Sequence, residues 1–209
     1  MEQFVHLHNH TEFSLLDGAI RVGDLVKETK NRGWKAVAIT DHGNMYGALQ
    51  FYTACLGAGI KPIIGCEFYM CDDLTNKQGK SKYDHLIILA KNNTGYKNML
   101  KLNSIAFIDG YYYKPRIDYK TLEKYSEGLI CLSACLFGRV QQLILEHRLE
   151  DAEKFALYLN SMFAPGDFYL EIQNHYFPED KEIMMGLSEI SKRTGIKLVA
   201  TNACHYLTK

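Results

Sequence analysis

The feature that most constrains this chain is an alternation that runs from its first residues to its last. Short, apolar, β-branched runs take turns with longer segments of helical periodicity. The strand-like runs cover 4–10, 36–40, 62–69, 86–90, 129–134, 168–173 and 197–202. Between them the spacing predicts helices over 21–32, 45–57, 94–105, 136–145, 149–162 and 179–194. In the first of these, Val22, Leu25 and Val26 keep the i, i+3, i+4 rhythm of a buried stripe, and Gly33 and Gly195 stand where helix C-terminal caps belong. Such alternation calls for a parallel sheet coated by helices, and seven strands predict a barrel-like α/β domain. Two stretches break the rhythm. Residues 71–83 are polar and read as an exposed loop, and residues 108–120 mix aromatics with Lys114, Arg116 and Lys120. With no repeat, low-complexity tract or linker, residues 1–209 read as one domain.

Composition narrows the classes of function. The 24 basic and 24 acidic side chains cancel, which argues against a dedicated duplex-binding module while leaving room for a local basic groove. No window approaches the roughly 18 consecutive apolar residues of a membrane span, so no membrane partner is expected. The start, Met-Glu-Gln-Phe-Val-His, lacks the basic and apolar regions of a signal peptide. Six cysteines without CxxC pairs then read as reduced thiols of a cytoplasmic protein. The last strand runs into His205 with no helix after it, so the chain is expected to be a fragment of a longer polypeptide.

The chemistry gathers at the strand ends. In His6-Leu7-His8-Asn9-His10, residues two apart share a face of a strand, so the three imidazoles are expected to point together, His6 deepest and supporting. One such histidine is ordinarily a hydrogen-bonded core residue, but three on an inward face favour a metal ion. The second run ends in Thr40-Asp41-His42-Gly43. His42 is placed as a ligand, while Asp41 either ligates or orients a neighbouring histidine. Glu67, His85, Cys135, His205 and Asp17 recur at comparable positions. Each has an ordinary reading, an inert thiol or an Asp-Gly turn, and their common geometry is what makes a multinuclear metal site. Asp41, His42, Glu67 and Cys135 are the candidate catalytic residues. His175 is a weaker candidate and His147 reads as solvated. Lys114 and Arg116, among tyrosines, could line a single-strand path, although a plain surface loop is the better reading.

His8-x-His10-Thr11, Thr40-Asp41-His42-Gly43 and the later acid, His and Cys positions resemble the polymerase-and-histidinol-phosphatase (PHP) family. Segments 13–19, 39–47, 61–69, 112–118 and 132–136 are similar to the N-terminal PHP domains of bacterial DNA polymerase III alpha subunits. The resemblance covers nearly the whole chain. It implies a distorted (β/α)7 barrel with up to three divalent ions (zinc, manganese or iron) in a cleft at the C-terminal ends of the strands. Carried over by position, the first ion would take His8, His10 and Glu67, the second Glu67, His85 and Cys135, and the third Asp17, His42 and His205. The expected activity is metal-assisted phosphoester hydrolysis of the 3′–5′ exonuclease, proofreading type. Nucleotidyl transfer would belong to the rest of a parent DNA-directed DNA polymerase. Expected partners are that remainder, the 3′ end of primer–template DNA and other replisome subunits.

One position departs from the pattern. After Thr201-Asn202 the family expects a carboxylate ligand for the first ion, and this chain has Ala203, which has no donor atom. Fewer than three ions and weak hydrolysis are therefore expected. The alternatives are a catalytically inactive structural module of the polymerase and a stand-alone histidinol-phosphate-type phosphatase. The latter fits the ligand ring but not the polymerase-like segments.

Overall fold

The apolar runs become buried backbone, and the sheet they build positions everything else. The computed structural model describes residues 4–79 and 83–208; residues 80–82 of the expected 71–83 loop lie outside the described residues. Its strands are β1 (Ala36–Ile39), β2 (Lys61–Cys71), β3 (Asp84–Ala90), β4 (Arg116–Asp118), β5 (Leu129–Leu132), β6 (Phe168–Ile172) and β7 (Leu198–Ala200). They pair in the order β1-β2-β3-β5-β6-β7, with β4 alongside β2. The helices are α1 (Val22–Asn31), α2 (Ala48–Ala58), α3 (Asn93–Ile108), α4 (Tyr119–Lys124), α5 (Arg139–Leu145), α6 (Leu149–Met162) and α7 (Pro178–Thr194). The fold is mixed α/β with a curled sheet.

The two ends of the strand path are joined by residues 6–10. Ala38 N donates to His6 O and Thr40 N to Asn9 O, both at 2.9 Å, on one side. On the other, His10 N donates to Cys204 O at 2.8 Å and Cys204 N to His8 O at 3.1 Å. The expected first strand, 4–10, is thus extended but is not a regular strand. Its ladder is interrupted because side chains take backbone partners: Asn9 Nδ2 donates to Ala38 O at 2.8 Å, and Thr40 Oγ1 accepts from Asn9 N at 2.9 Å.

The all-parallel expectation needs a second correction. β1 and β2 are parallel, as are β5 and β6, and β6 and β7, but β3 runs antiparallel to both β2 and β5. The polar 71–83 stretch therefore connects two antiparallel neighbours instead of a parallel crossover. The irregular 108–120 stretch contains β4 and leads into α4, whose start is capped by Asp118 accepting from Thr121 N at 2.8 Å.

Alternation along the strands divides the core. Cys66, Phe68, Leu86 and Ile88 face outward into the apolar layer beneath α3 and α5–α7. Ile87, Leu89, Leu132, Ala134 and Ala38 form a small plug inside the curl. The same inward face of β2 and β3 carries Glu67 and His85 above that plug. Among the described residues no helix is long and apolar enough to cross a membrane.

The start of α3 is held against the turn before β5. Asn92 caps the helix by accepting from Gly95 N at 3.0 Å, and Lys91 N donates to Gly128 O at 2.9 Å. A methyl group on Gly95 would lie 1.8 Å from that same Gly128 oxygen. Gly95→Ala is expected to destabilise the domain by about 2–3 kcal/mol through overpacking. Gly23→Ala, at a helical site with open space around it, should instead stabilise it by about 0.5 kcal/mol. Urea unfolding of both variants beside the parent checks this contrast.

Candidate metal centre

Five parts of the chain converge on one carboxylate. Glu67 lies on the inward face of β2 and is fully buried. His8 and His10 come from the closing segment, and His42 follows β1. His85 stands near the start of β3, and Cys135 and His205 follow β5 and β7. The reversed direction of β3 brings its first residues level with the carboxyl ends of the parallel strands, pairing His85 with Tyr69.

Glu67 Oε2 is 3.3 Å from His8 Nε2, 3.0 Å from His10 Nε2 and 3.1 Å from His42 Nδ1. Glu67 Oε1 is 2.7 Å from His85 Nδ1 and 3.8 Å from Cys135 Sγ, which in turn is 3.9 Å from His85 Nδ1. Above the cluster, the half-exposed Asp17 lies 3.1 Å from His42 Nε2 and 4.0 Å from His205 Nδ1. The rings of His10 and His42 stack at 4.1 Å, and those of His10 and His205 at 4.2 Å. Three groups bring potential ligand atoms within 4.8 Å of one another: His8–His10–Glu67, His42–Glu67–His85 and His10–His42–His205.

This donor set fits cations. Imidazole nitrogens, a carboxylate and a thiol are ligands of zinc and neighbouring transition metals, and tetrahedral ligand atoms about 2.0–2.3 Å from an ion sit a little over 3 Å apart. His42 Nδ1 and His205 Nδ1 are buried without a hydrogen-bond partner. The approach of His42 Nδ1 to Glu67 therefore lacks hydrogen-bond geometry. Buried imidazole nitrogens without a hydrogen-bond partner are what a positive ion satisfies.

The electrostatics follow from enclosure. Burial disfavours a charged Glu67, but His8 first and then the hydrogen-bonding imidazoles hold its carboxyl well below the usual range. Burial likewise opposes charge on His8, yet Glu171 and Glu67 on its two sides outweigh it and push its pKa up to about 10. His42 and His205 are shifted down, first by burial and then by neighbouring imidazoles. Burial and the Glu67 charge raise the Cys135 thiol well above its ordinary value.

Two carboxylates serve the cluster from behind. Glu171, on the inner face of β6, accepts from His8 Nδ1 at 2.8 Å and from Gln173 Nε2 at 2.9 Å, and also from Thr201 Oγ1. It holds the His8 ring by Nδ1 and leaves Nε2 facing Glu67. Sequence reasoning missed Glu171; the available signal was an acid at an inward position of an otherwise apolar strand. Asp41, a candidate catalytic residue, faces the 11–14 turn. It accepts from Thr11 N at 2.6 Å, Thr11 Oγ1 at 2.8 Å and Ser14 Oγ at 2.7 Å. Ser14 Oγ in turn lies 3.2 Å from His10 Nδ1 and accepts from His42 N at 3.1 Å. Asp41 thus orients histidines through Ser14 and does not face the cluster.

Other expectations land differently. His6 does not share the face of His8 and His10, because the closing segment is not a regular strand. It packs on Trp34 at 4.9 Å, with Nδ1 3.7 Å from Cys204 Sγ. Arg116 is buried, donating to Gly110 O and Asn76 O at 3.2 and 3.1 Å, so it lines no nucleic-acid path. Lys114 sits over the Tyr69 ring at 5.3 Å, near the rim. His147 is exposed and paired with Glu182 at 3.1 Å. His175 and Ala203 line a cleft beside Cys135 and His205.

Fold and site together define a class, an α/β half-barrel with a histidine, carboxylate and thiol cluster at the sheet's carboxyl edge. The PHP domain model matches residues 6–175, and the chain belongs to the PHP domain family. It is homologous to DNA polymerase III alpha subunits. It is 47% identical over 216 residues to the subunit from Borreliella burgdorferi and 45% identical over 215 residues to that from Thermus aquaticus. Each match covers 99% of this chain, which spans 18% of the length of those relatives. Among solved structures, a candidate metal-dependent phosphoesterase from Bifidobacterium adolescentis shares the fold. Its TM-score is 0.61 at 16% identity, covering 100% of this chain and 90% of that one. An amidohydrolase from Chromobacterium violaceum does so with a TM-score of 0.59 at 13% identity, covering 96% and 87%.

Asp41→Ala would strip a buried acceptor from three donors. Hydrogen bonds to charged groups contribute about 1.5–3 kcal/mol each, so a loss of about 3 kcal/mol or more is expected. Urea denaturation beside Lys114→Ala, expected to change stability by less than about 0.5 kcal/mol, measures it.

Proposed function

We propose that this cluster binds up to three divalent metal ions, of zinc, manganese or iron, for phosphoester hydrolysis. In this reading the chain is the 3′–5′ exonuclease-type PHP domain of a bacterial DNA polymerase III alpha subunit, weakened by Ala203. The observation that carries it is Glu67, a buried carboxylate with four imidazoles within 3.3 Å of its oxygens. Homology to the polymerase subunits and the metal-type donor set support the same reading.

His8, His10 and Glu67 would hold the first ion, Glu67, His85 and Cys135 the second, and Asp17, His42 and His205 the third. Such ions grip phosphate oxygens, lower the pKa of a bound water and steady a leaving oxygen. The chain's own residues prepare that chemistry. Glu67 would be shared between ligand sets, Glu171 holds the His8 ring, and Asp41 with Ser14 orients His10 and His42. Cys135 would serve as a ligand rather than a nucleophile, because a metal-bound thiolate is occupied. The partners in this reading are the rest of the polymerase chain, the primer–template 3′ end and other replisome subunits, in the cytoplasm.

Ala203 favours a second reading, a module that braces the polymerase with its metals partly lost. Elemental analysis of the parent and Ala203→Asp, side by side, separates the two. We expect fewer than three ions on the parent, about one more on the variant, and at least about 10-fold faster trimming of a mispaired 3′ end. If neither protein holds metal, the bracing module is the correct reading. Glu67→Gln should empty the cluster further than any single histidine change, read as the largest fall in bound metal.

A further inference from the structure

A cleft of about 480 Å³ opens beside Cys135 and His205. It lies between the loop after β5, the start of α7 and the residues after β7. Its rim carries three aromatic rings, Phe137, Phe177 and Tyr206, exposed by 58%, 57% and 60%. Exposed rings grouped at one cleft are an unusual use of apolar surface, since isolated ones are ordinary.

Several polar groups that line the cleft are incompletely partnered. Gln141 is fully buried, and its Nε2 donates to Ser133 Oγ at 2.9 Å and Ala134 O at 2.8 Å. Its Oε1 is left buried without a partner, as are Glu171 Oε2 and His175 Nε2, all from residues lining this cleft. Buried polar atoms are normally hydrogen-bonded, and several exceptions around one cleft point to a ligand that supplies the partners. Two of the three are pure acceptors and call for N–H or O–H donors. Among the described residues no Lys or Arg lines the cleft, so none of them favours a phosphate there. Aromatic rings at the rim, unpartnered acceptors among the lining residues and no cation among the described ones suit a neutral, planar heterocycle with N–H groups on its edge.

We propose that this cleft receives the nucleobase attached to the phosphoester that reacts at the cluster. The base stacks among Phe137, Phe177 and Tyr206, and Gln141 Oε1 and Glu171 Oε2 accept from its edge. This rests on the phosphoesterase reading above and adds a base-binding subsite to it.

Calorimetric titration of the chain with deoxycytidine 5′-monophosphate, 2-deoxyribose 5-phosphate and deoxycytidine, in buffer containing manganese, tests it. Base–aromatic stacking supplies about 5- to 150-fold, so the nucleotide should bind tighter than the base-free phosphate by a factor in that range. Phe177→Ala should bring the two within about threefold of each other, with bound metal and affinity for deoxyribose phosphate unchanged. Gln141→Met should do the same in part, and Phe177→Ala suffices where Gln141→Met does not fold. Equal affinity for nucleotide and base-free phosphate overturns the proposal, as does a preference that Phe177→Ala leaves intact. Deoxycytidine needs no metal cluster. If it binds and responds to Phe177→Ala while no metal is held, the base cleft stands and the phosphoesterase reading fails.

Discussion

The structure depends on one buried charge. Glu67 is a carboxylate placed in the interior of the sheet, where an unpaired ion would cost many kcal/mol. Four imidazoles surround it, and they come from the closing segment, the end of β1 and the start of β3. None of these elements can shift without uncovering the charge. The curl of the sheet, the reversal of β3 and the insertion of residues 6–10 between its ends are the geometry by which the four rings reach one point.

Beneath and behind the cluster, the fold supplies rigidity in two forms. The small apolar plug of Ala38, Ile87, Leu89, Leu132 and Ala134 fills the curl and leaves no room for the site to sink. Buried hydrogen bonds then set the orientation of individual rings. Asp41 works through Ser14 on His10 and His42, and Glu171 works directly on His8. These supporting acids are as enclosed as the residues they hold, so each geometry is over-determined. The loops above leave Asp17, His205 and the aromatic rim partly exposed.

Membership of the PHP family and homology to DNA polymerase III alpha subunits give this arrangement a context, and in the proposed reading Ala203 gives it an asymmetry. The His8–His10–Glu67 group lies at the buried end of the cluster, and Ala203 stands on the loop that passes it beside Cys204, whose backbone pairs with His8 and His10. In the proposed reading, a methyl group there contributes nothing to a cation.

The sequence by itself determined the α/β class, most of the elements (not β4 or α4) and most of the residues that gather around Glu67. Periodicity is a local property, and ligand-type residues at strand ends are visible as soon as the strands are. Val22, Leu25 and Val26 mark α1 in this way, and His8, His10, His42, Glu67 and His85 could be named before any geometry was known. Tertiary structure alone decided direction and facing. The antiparallel course of β3 is set by long-range pairing with β2 and β5, which no local pattern encodes. His6 left the cluster because Asn9 and Thr40 interrupt the ladder that strict alternation assumes. Arg116 turned inward to two carbonyls, Asp41 to a turn and Glu171 to His8. In each case the partner is remote in sequence, and a polar side chain takes whichever buried partner the packed chain brings to it.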